Sequence, residues 1–386
     1  MNQPDYANGS IVNLVSGIAA ALGAKKLSYP PFDELDFNAL SRSRVVVLMV
    51  IDGLGYDFLC QNLSGGVMHQ HLRGRLTSVF PATTASAVTS FFTGVAPQQH
   101  AVTGWFTWLK ELGTVAEPLP FRPRLGGPEF TTTGITPASV FHQSPIFSQL
   151  DSQAHVVLPA RLVDSAYTRF HAGMAKRHGC TSLGDFIETV AGIVDGANER
   201  SYVYAYWPKL DAIGHCEGIE SRSAREHAKE LDAAFAALLA RCRGQEASFI
   251  VTADHGLVDT RPQDWIHLDA HPVLADCLTI PLCGEPRAAY CYLRAGKRRT
   301  FEEYVASNLA HCCDAVPSAE LISRGLFGLG QASARLGERV GDYVLLMKDN
   351  FAIADRMLGE ERPSHIGVHG GLSDAELFVP LIVANA

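Results

Sequence analysis

The sequence predicts an α/β protein built on a central, mainly parallel sheet with helices on both faces. Two observations carry this prediction. Short β-branched runs recur along the chain, and helical patterns fall between them. The runs are almost continuously apolar rather than alternating, as strands covered on both faces require.

Taken in order, Ile11 to Leu22 reads as an amphipathic helix. Asn13, Ser16 and Gly17 break its apolar run, and the residues before it carry no Lys or Arg, unlike a signal peptide. Arg44 to Ile51 is the first strand. Phe80 to Ser90 reads as a turn entering a helix, because Pro81 ends the extended segment and Thr or Ser can satisfy the first free amides; the helix spans Thr84 to Phe92. Gly104 to Pro145, rich in Gly, Pro and Thr, reads as irregular loops over the strand ends. Strand Ala154 to Leu158, helix Leu183 to Val194, strand Ser201 to Trp207, helix Ser221 to Cys242 and strand Ser248 to Thr252 then alternate. Strand Ala288 to Leu293 and helix Phe301 to His311 fall in a stretch from about 286 to 341 that reads as a small inserted cap. Leu377 to Val383 is the last strand, and residues 1–386 read as one domain carrying that insert.

Composition excludes several classes. Of 386 residues, 47% are hydrophobic, enough for a sizeable core. Lys and Arg number 32 against 40 Asp and Glu, a net charge of −8 without single-sign blocks, so no nucleic-acid-binding surface is expected. The nine cysteines are irregularly spaced and read as reduced core thiols rather than a disulfide framework or a paired zinc site. No apolar run reaches the roughly 20 residues of a membrane span, so a soluble, cytoplasmic protein is expected. Neither a monomer nor a homodimer is singled out.

The acids and histidines collect where α/β sheets gather ligands, at the carboxyl ends of strands. Asp52 ends the first strand beside Gly53 and Gly55. Asp254 and His255 follow Ser248 to Thr252 in the same way. Asp211 and His215 lie just beyond Ser201 to Trp207, four residues apart, a spacing that would align both on one helical turn and in an irregular loop still allows them to share one ion. His369 sits among Gly367, Gly370 and Gly371, which give the backbone freedom to present an imidazole. Each of these alone is also what a turn or cap needs. Together they supply two ligand sets of three, in the oxygen and nitrogen chemistry that zinc accepts. A metal pair roughly 4 Å apart can clamp both the attacking and the leaving oxygen of a phosphoryl transfer. Thr84, at a helix start that favours an anion, is the candidate nucleophile: a nearby metal would lower the pKa of its hydroxyl.

These segments, from Val45 to Ile382, resemble the alkaline phosphatase superfamily, and most closely its type I nucleotide pyrophosphatase/phosphodiesterase members. The resemblance implies an alkaline phosphatase-like catalytic domain and a two-zinc site, manganese being the alternative metal. It assigns Asp52, Asp254, His255 and Thr84 to one ion and Asp211, His215 and His369 to the other. It implies a metal-dependent hydrolase of small phosphodiesters or pyrophosphates in which Thr84 forms a covalent phospho-threonine.

The family pattern is broken at two substrate positions, where Ala85 replaces an aromatic and Ala87 an Asn that donates to a phosphate oxygen. Tyr206, five residues before Asp211, matches the other aromatic of the nucleobase clamp and is the expected substrate contact, with Trp105 and Trp265 as further candidates for the pocket wall. The tail Gly370 to Leu381 is also similar to that of cofactor-independent phosphoglycerate mutases. A phosphomonoesterase or phosphomutase therefore stays open, as does a non-catalytic metal-binding protein with this fold.

Overall fold

A computed structural model describes residues 2–362 and 364–386. Its main sheet has seven strands, in the spatial order Leu72–Thr77, Phe378–Asn385, Ala247–Thr252, Val45–Ile51, Ser201–Trp207, Gln153–Pro159 and Lys176–Cys180. Val45–Ile51 pairs in parallel with Ser201–Trp207 and Ala247–Thr252, and Gln153–Pro159 pairs in parallel with Ser201–Trp207 and Lys176–Cys180. Phe378–Asn385 runs antiparallel to both of its neighbours, so the last apolar run is the exception in a mainly parallel sheet.

Every residue of Val45–Ile51, Ser201–Trp207 and Ala247–Thr252 is buried, because helices cover both faces. Burying one such Val, Leu or Ile side chain is worth roughly 1.5–3 kcal/mol, which makes this sheet the rigid platform of the molecule. Helix Leu183–Gly196 packs against strands Gln153–Pro159 and Lys176–Cys180 and against helix Arg222–Arg241. Ser182 and Ser221 cap these two helices by accepting from the amides of Asp185 and Ala224.

Two strands escape the sequence pattern. Leu72–Thr77 and Lys176–Cys180 form the sheet edges and carry Arg73, Arg75, Lys176 and Arg177, charges that protect an edge from pairing with another chain and erase its apolar signature.

A second sheet lies beyond these strands, antiparallel, in the order Cys283–Glu285, Ala288–Cys291, Tyr343–Met347 and Cys313–Pro317. Helix Arg298–Asn308 contributes Phe301 and Val305 to its core. The stretch expected to be irregular, Gly104 to Pro145, instead holds a small antiparallel sheet of Thr107–Leu109, Thr114–Glu117 and Arg122–Pro123 among its turns. No helix among the described residues is long and apolar enough to cross a membrane.

Candidate active site

Strand register brings the acidic strand tips together. Ile51 lies opposite Trp207 and Val50 opposite Thr252, so Asp52, Asp254 and the helix Lys209–Glu217 emerge side by side. Gly53 makes the first turn with φ +78, and a Cβ there would meet Leu257 at 2.6 Å. Gly256 passes so close to the Ala375 carbonyl that a Cβ would lie 2.0 Å from it. Glycine is the residue that fits both places.

Asp52, Asp254, His255 and His215 are each tied to the scaffold through one atom and present the other. Asp52 Oδ2 accepts from the Tyr206 hydroxyl. Asp254 Oδ1 accepts from the amides of Gly53 and His255, at 3.2 and 3.0 Å. His255 Nδ1 donates to the Gly256 carbonyl (3.0 Å) and His215 Nδ1 to the Gly367 carbonyl (2.8 Å), which turns Nε2 of both rings toward the carboxylates. His255 Nε2 lies 3.3 Å from Asp52 Oδ1, 3.6 Å from Asp254 Oδ2 and 3.1 Å from Thr84 Oγ1. On the other side, Asp211 Oδ2 is 3.2 Å from His215 Nε2, and its Oδ1 is 3.9 Å from His369 Nε2.

The atoms left over are the ones a metal needs. Asp52 Oδ1, Asp211 Oδ1 and Asp254 Oδ2 are buried with no hydrogen-bond partner among the described residues. A buried carboxylate oxygen without a partner is costly, and three of them gathered about His255 call for cations. Two groups have donor atoms lying mutually within 4.8 Å: Asp52, Asp254 and His255, and Asp211, His255 and His369. The first is the trio the sequence suggested. In the second, His255 stands where His215 was expected, its ring stacked on His369 at 3.8 Å, while His215 joins through Asp211.

The electrostatics report the same crowding. Burial, together with the charges of Asp254 and Asp211, pushes the Asp52 carboxyl up despite the Tyr206 hydroxyl. Burial alone would raise Asp211 as well, but the charge and hydrogen bond of His215 overcome it and hold the carboxyl below its usual range. Burial and the neighbouring His255 ring hold His369 down, in its neutral, ligand-competent form.

Thr84 opens the helix Thr84–Thr93 and, alone among residues 81–90, is not buried. It lines a cavity of about 470 Å³ walled by Trp105, Phe106, Trp265, Asp211, His215 and His369 among others. Ala85 and Ala87 are buried in the helix rather than in the cavity wall. Tyr206 does not reach the cavity: it is 5% exposed and spends its hydroxyl on Asp52. The expected substrate contact is therefore a partner of the candidate metal ligand Asp52, because its strand is covered on both faces. Trp105 and Trp265 do stand at the pocket wall.

Sequence reasoning missed three residues here. His365 lies against His215, with ring centroids 4.5 Å apart. Arg124 is buried over the Phe106 ring at 4.1 Å and paired with Asp355 (2.6 Å) and Glu360 (2.9 Å). Glu285, at the end of a second-sheet strand, accepts from Thr83 Oγ1 and from the Trp105 amide, both at 2.6 Å. Burial pushes its carboxyl up to about 7 in spite of these donors. No motif marks Glu285; it reaches the site from a separate sheet.

Comparison with known proteins points to one family. The family model described as type I phosphodiesterase/nucleotide pyrophosphatase matches residues 46–372. Among solved structures, the chain is similar to murine ectonucleotide pyrophosphatase/phosphodiesterase 5, with a TM-score of 0.65, 16% identity and 87% of each chain covered. An inactive variant of that murine protein in complex with AMP matches equally, with a TM-score of 0.65 at 16% identity over 87% of each chain. Phosphonoacetate hydrolase from Sinorhizobium meliloti 1021, in complex with phosphonoformate, gives a TM-score of 0.63 and 18% identity over 89% of this chain and 90% of that one. A search among curated proteins found no match.

Proposed function

This chain belongs to the type I phosphodiesterase/nucleotide pyrophosphatase family, and we propose that it hydrolyses small phosphodiesters or pyrophosphates with Thr84 as nucleophile beside two divalent metal ions. The observation that carries this reading is the trio of unpartnered, buried carboxylate oxygens, one each from Asp52, Asp211 and Asp254, beside the accessible Thr84.

Asp52, Asp254 and His255 would hold one ion and Asp211, His215 and His369 the other, with His255 between the two sets. Carboxylate and imidazole donors suit zinc, and manganese is the alternative. When bound, such a pair supplies Lewis-acid stabilisation of the charge that develops on the phosphoryl and ester oxygens.

The chain's own groups do the rest. Thr84 Oγ1 forms a bond to phosphorus as the ester oxygen leaves on the opposite side, and water then cleaves the phospho-threonine and restores the hydroxyl. The first turn of Thr84–Thr93 has no side-chain cap, and the amide of Thr84, the residue of that turn at the cavity, is free to hold a phosphoryl oxygen. Trp105, Phe106 and Trp265 offer an aromatic wall to the organic part of the substrate.

Charge in the cavity favours the diester over the monoester. Besides the ligand set, the lining carries Glu285, Asp355, Glu360 and Glu361 against the guanidinium of Arg124, which is already paired with Asp355 and Glu360. A second negative charge on the phosphoryl group meets no free cation among these lining residues. AMP in the inactive murine protein makes nucleotides candidate substrates, although Ala85 and Ala87 remove two of the family's nucleotide contacts.

Replacing Thr84 with Ala is expected to abolish turnover of a chromogenic phosphodiester while the metal content stays near two ions per chain. Undiminished turnover would sink the proposal, and a clear preference for the monoester of the same leaving group would overturn the substrate class.

A further inference from the structure

Arg124 follows the short strand Arg122–Pro123, and its side chain is 4% exposed. The guanidinium lies over the Phe106 ring at 4.1 Å. Nε and Nη2 donate to the two oxygens of Glu360, both at 2.9 Å; Nη2 also donates to Asp355 Oδ1 at 2.6 Å, and Nη1 to the Leu282 carbonyl at 3.0 Å. A guanidinium carries five N–H donors in one plane. These bonds use four, and the second hydrogen of Nη1 has no partner among the described residues. The acceptors are themselves held: Asp355 Oδ2 accepts from the Leu282 amide at 2.7 Å, and Glu360 Oε2 from the Met357 amide at 2.9 Å. Arg124 lines the same cavity as Thr84, yet none of its partners is a candidate metal ligand.

Two carboxylates against one guanidinium leave Arg124 little charge to offer a phosphoryl group, but they leave it a donor. We propose that Arg124 is a specificity-determining residue that reads the organic part of the substrate through the remaining Nη1 hydrogen, selecting groups with a neutral acceptor, either a ring nitrogen or a carbonyl oxygen. The inference rests on the reading of this cavity as the substrate site. A ring that brings an acceptor satisfies the donor. A ring of the same shape without one displaces water and leaves a buried N–H unpaired, which is how a polar site rejects an apolar analogue. Lysine is no substitute: its three donors are too few to hold both Glu360 oxygens, Asp355 and the Leu282 carbonyl and still keep one for the substrate.

The test uses the metal-loaded enzyme and p-nitrophenyl diesters whose second ester group is benzyl, each of the three pyridylmethyl isomers in neutral form, or N-methylpyridinium-methyl. The pyridyl rings differ from benzyl only in a nitrogen that replaces one ring CH. At least one pyridylmethyl ester is expected to exceed the benzyl ester in kcat/KM by about tenfold, the scale of one hydrogen bond to a charged donor. In Arg124→Lys and Arg124→Met that ratio should fall to about one, whatever the variants do to turnover as a whole, because each ratio is taken within one variant. Should neither variant fold, the order of the esters in the wild type decides alone. A benzyl ester equal to all three isomers, an advantage that survives in both variants, or a methylpyridinium ester faster than every neutral one, the mark of carboxylates reading a cation, would each overturn the proposal while diester hydrolysis stands. A wild-type enzyme that cleaves none of these diesters would overturn the proposed function itself.

Discussion

The Tyr206 hydroxyl donates to Asp52 Oδ2 and leaves Asp52 Oδ1 as the atom turned toward His255 Nε2, 3.3 Å away. A partner of this kind fixes which oxygen of a carboxylate faces a metal and typically contributes 10–100-fold to metal affinity. Tyr206→Phe is therefore expected to weaken metal binding by about one order of magnitude, measured by competition with a chelator, with KM at saturating metal little changed. A large KM change at unaltered metal affinity would return Tyr206 to the substrate.

The aromatic wall predicts the opposite split. Trp105 and Trp265 line the cavity, and Trp265 is steadied by donation from its ring nitrogen to the His365 carbonyl at 3.2 Å. Trp105→Ala and Trp265→Ala should each raise KM for an aryl or nucleoside diester by about fivefold to tenfold and leave kcat within about a factor of two, the pattern of lost uniform binding. Unchanged KM in both variants would remove the wall from substrate recognition.

The second sheet is joined to the site by a buried ion pair. Arg287 meets both carboxylate oxygens of Glu376, at 3.1 and 2.9 Å, with side chains 1% and 0% exposed. Glu376 also accepts from the Gly371 amide and the Ser373 hydroxyl, and its carbonyl receives the Gly256 amide beside His255. Arg287→Met strands a buried carboxylate and should cost roughly 3–5 kcal/mol in urea denaturation. A loss below about 1 kcal/mol would show the pair to be dispensable.

A pH dependence follows from His171, which is buried among Phe141, Tyr167 and Phe170 and donates from Nδ1 to the Tyr167 carbonyl. Burial holds this imidazole down at about 4, against 6.5 when free. The unfolded chain therefore takes up the proton first. The stabilisation is fully present above pH 6.5 and is lost as the pH falls from there to about 4, a span worth about 3 kcal/mol. His171→Phe should show a shallower fall in urea midpoint between pH 7 and 4.5; an identical pH profile would contradict the assignment.

Much of the site was legible in the sequence because it is local. An apolar run that stops at Asp52 or at Asp254 and His255 identifies both the strand and its tip, and the four-residue step from Asp211 to His215 brings the two together as one turn of the helix Lys209–Glu217. Thr84 could be placed at a helix start because such a start has its own turn chemistry. Other features depend on what lies across the fold. A strand buried on both faces gives no sign of which face meets the cluster, so Tyr206 could be placed at the substrate or beneath Asp52 with equal consistency until packing chose the latter. The edge strands Leu72–Thr77 and Lys176–Cys180 carry charge where the apolar signal would be. His255 became shared between two groups, and Glu285 reached Thr83 across 202 residues. Those two facts are distances between segments remote in sequence, and no local pattern encodes a distance that only the folded chain creates.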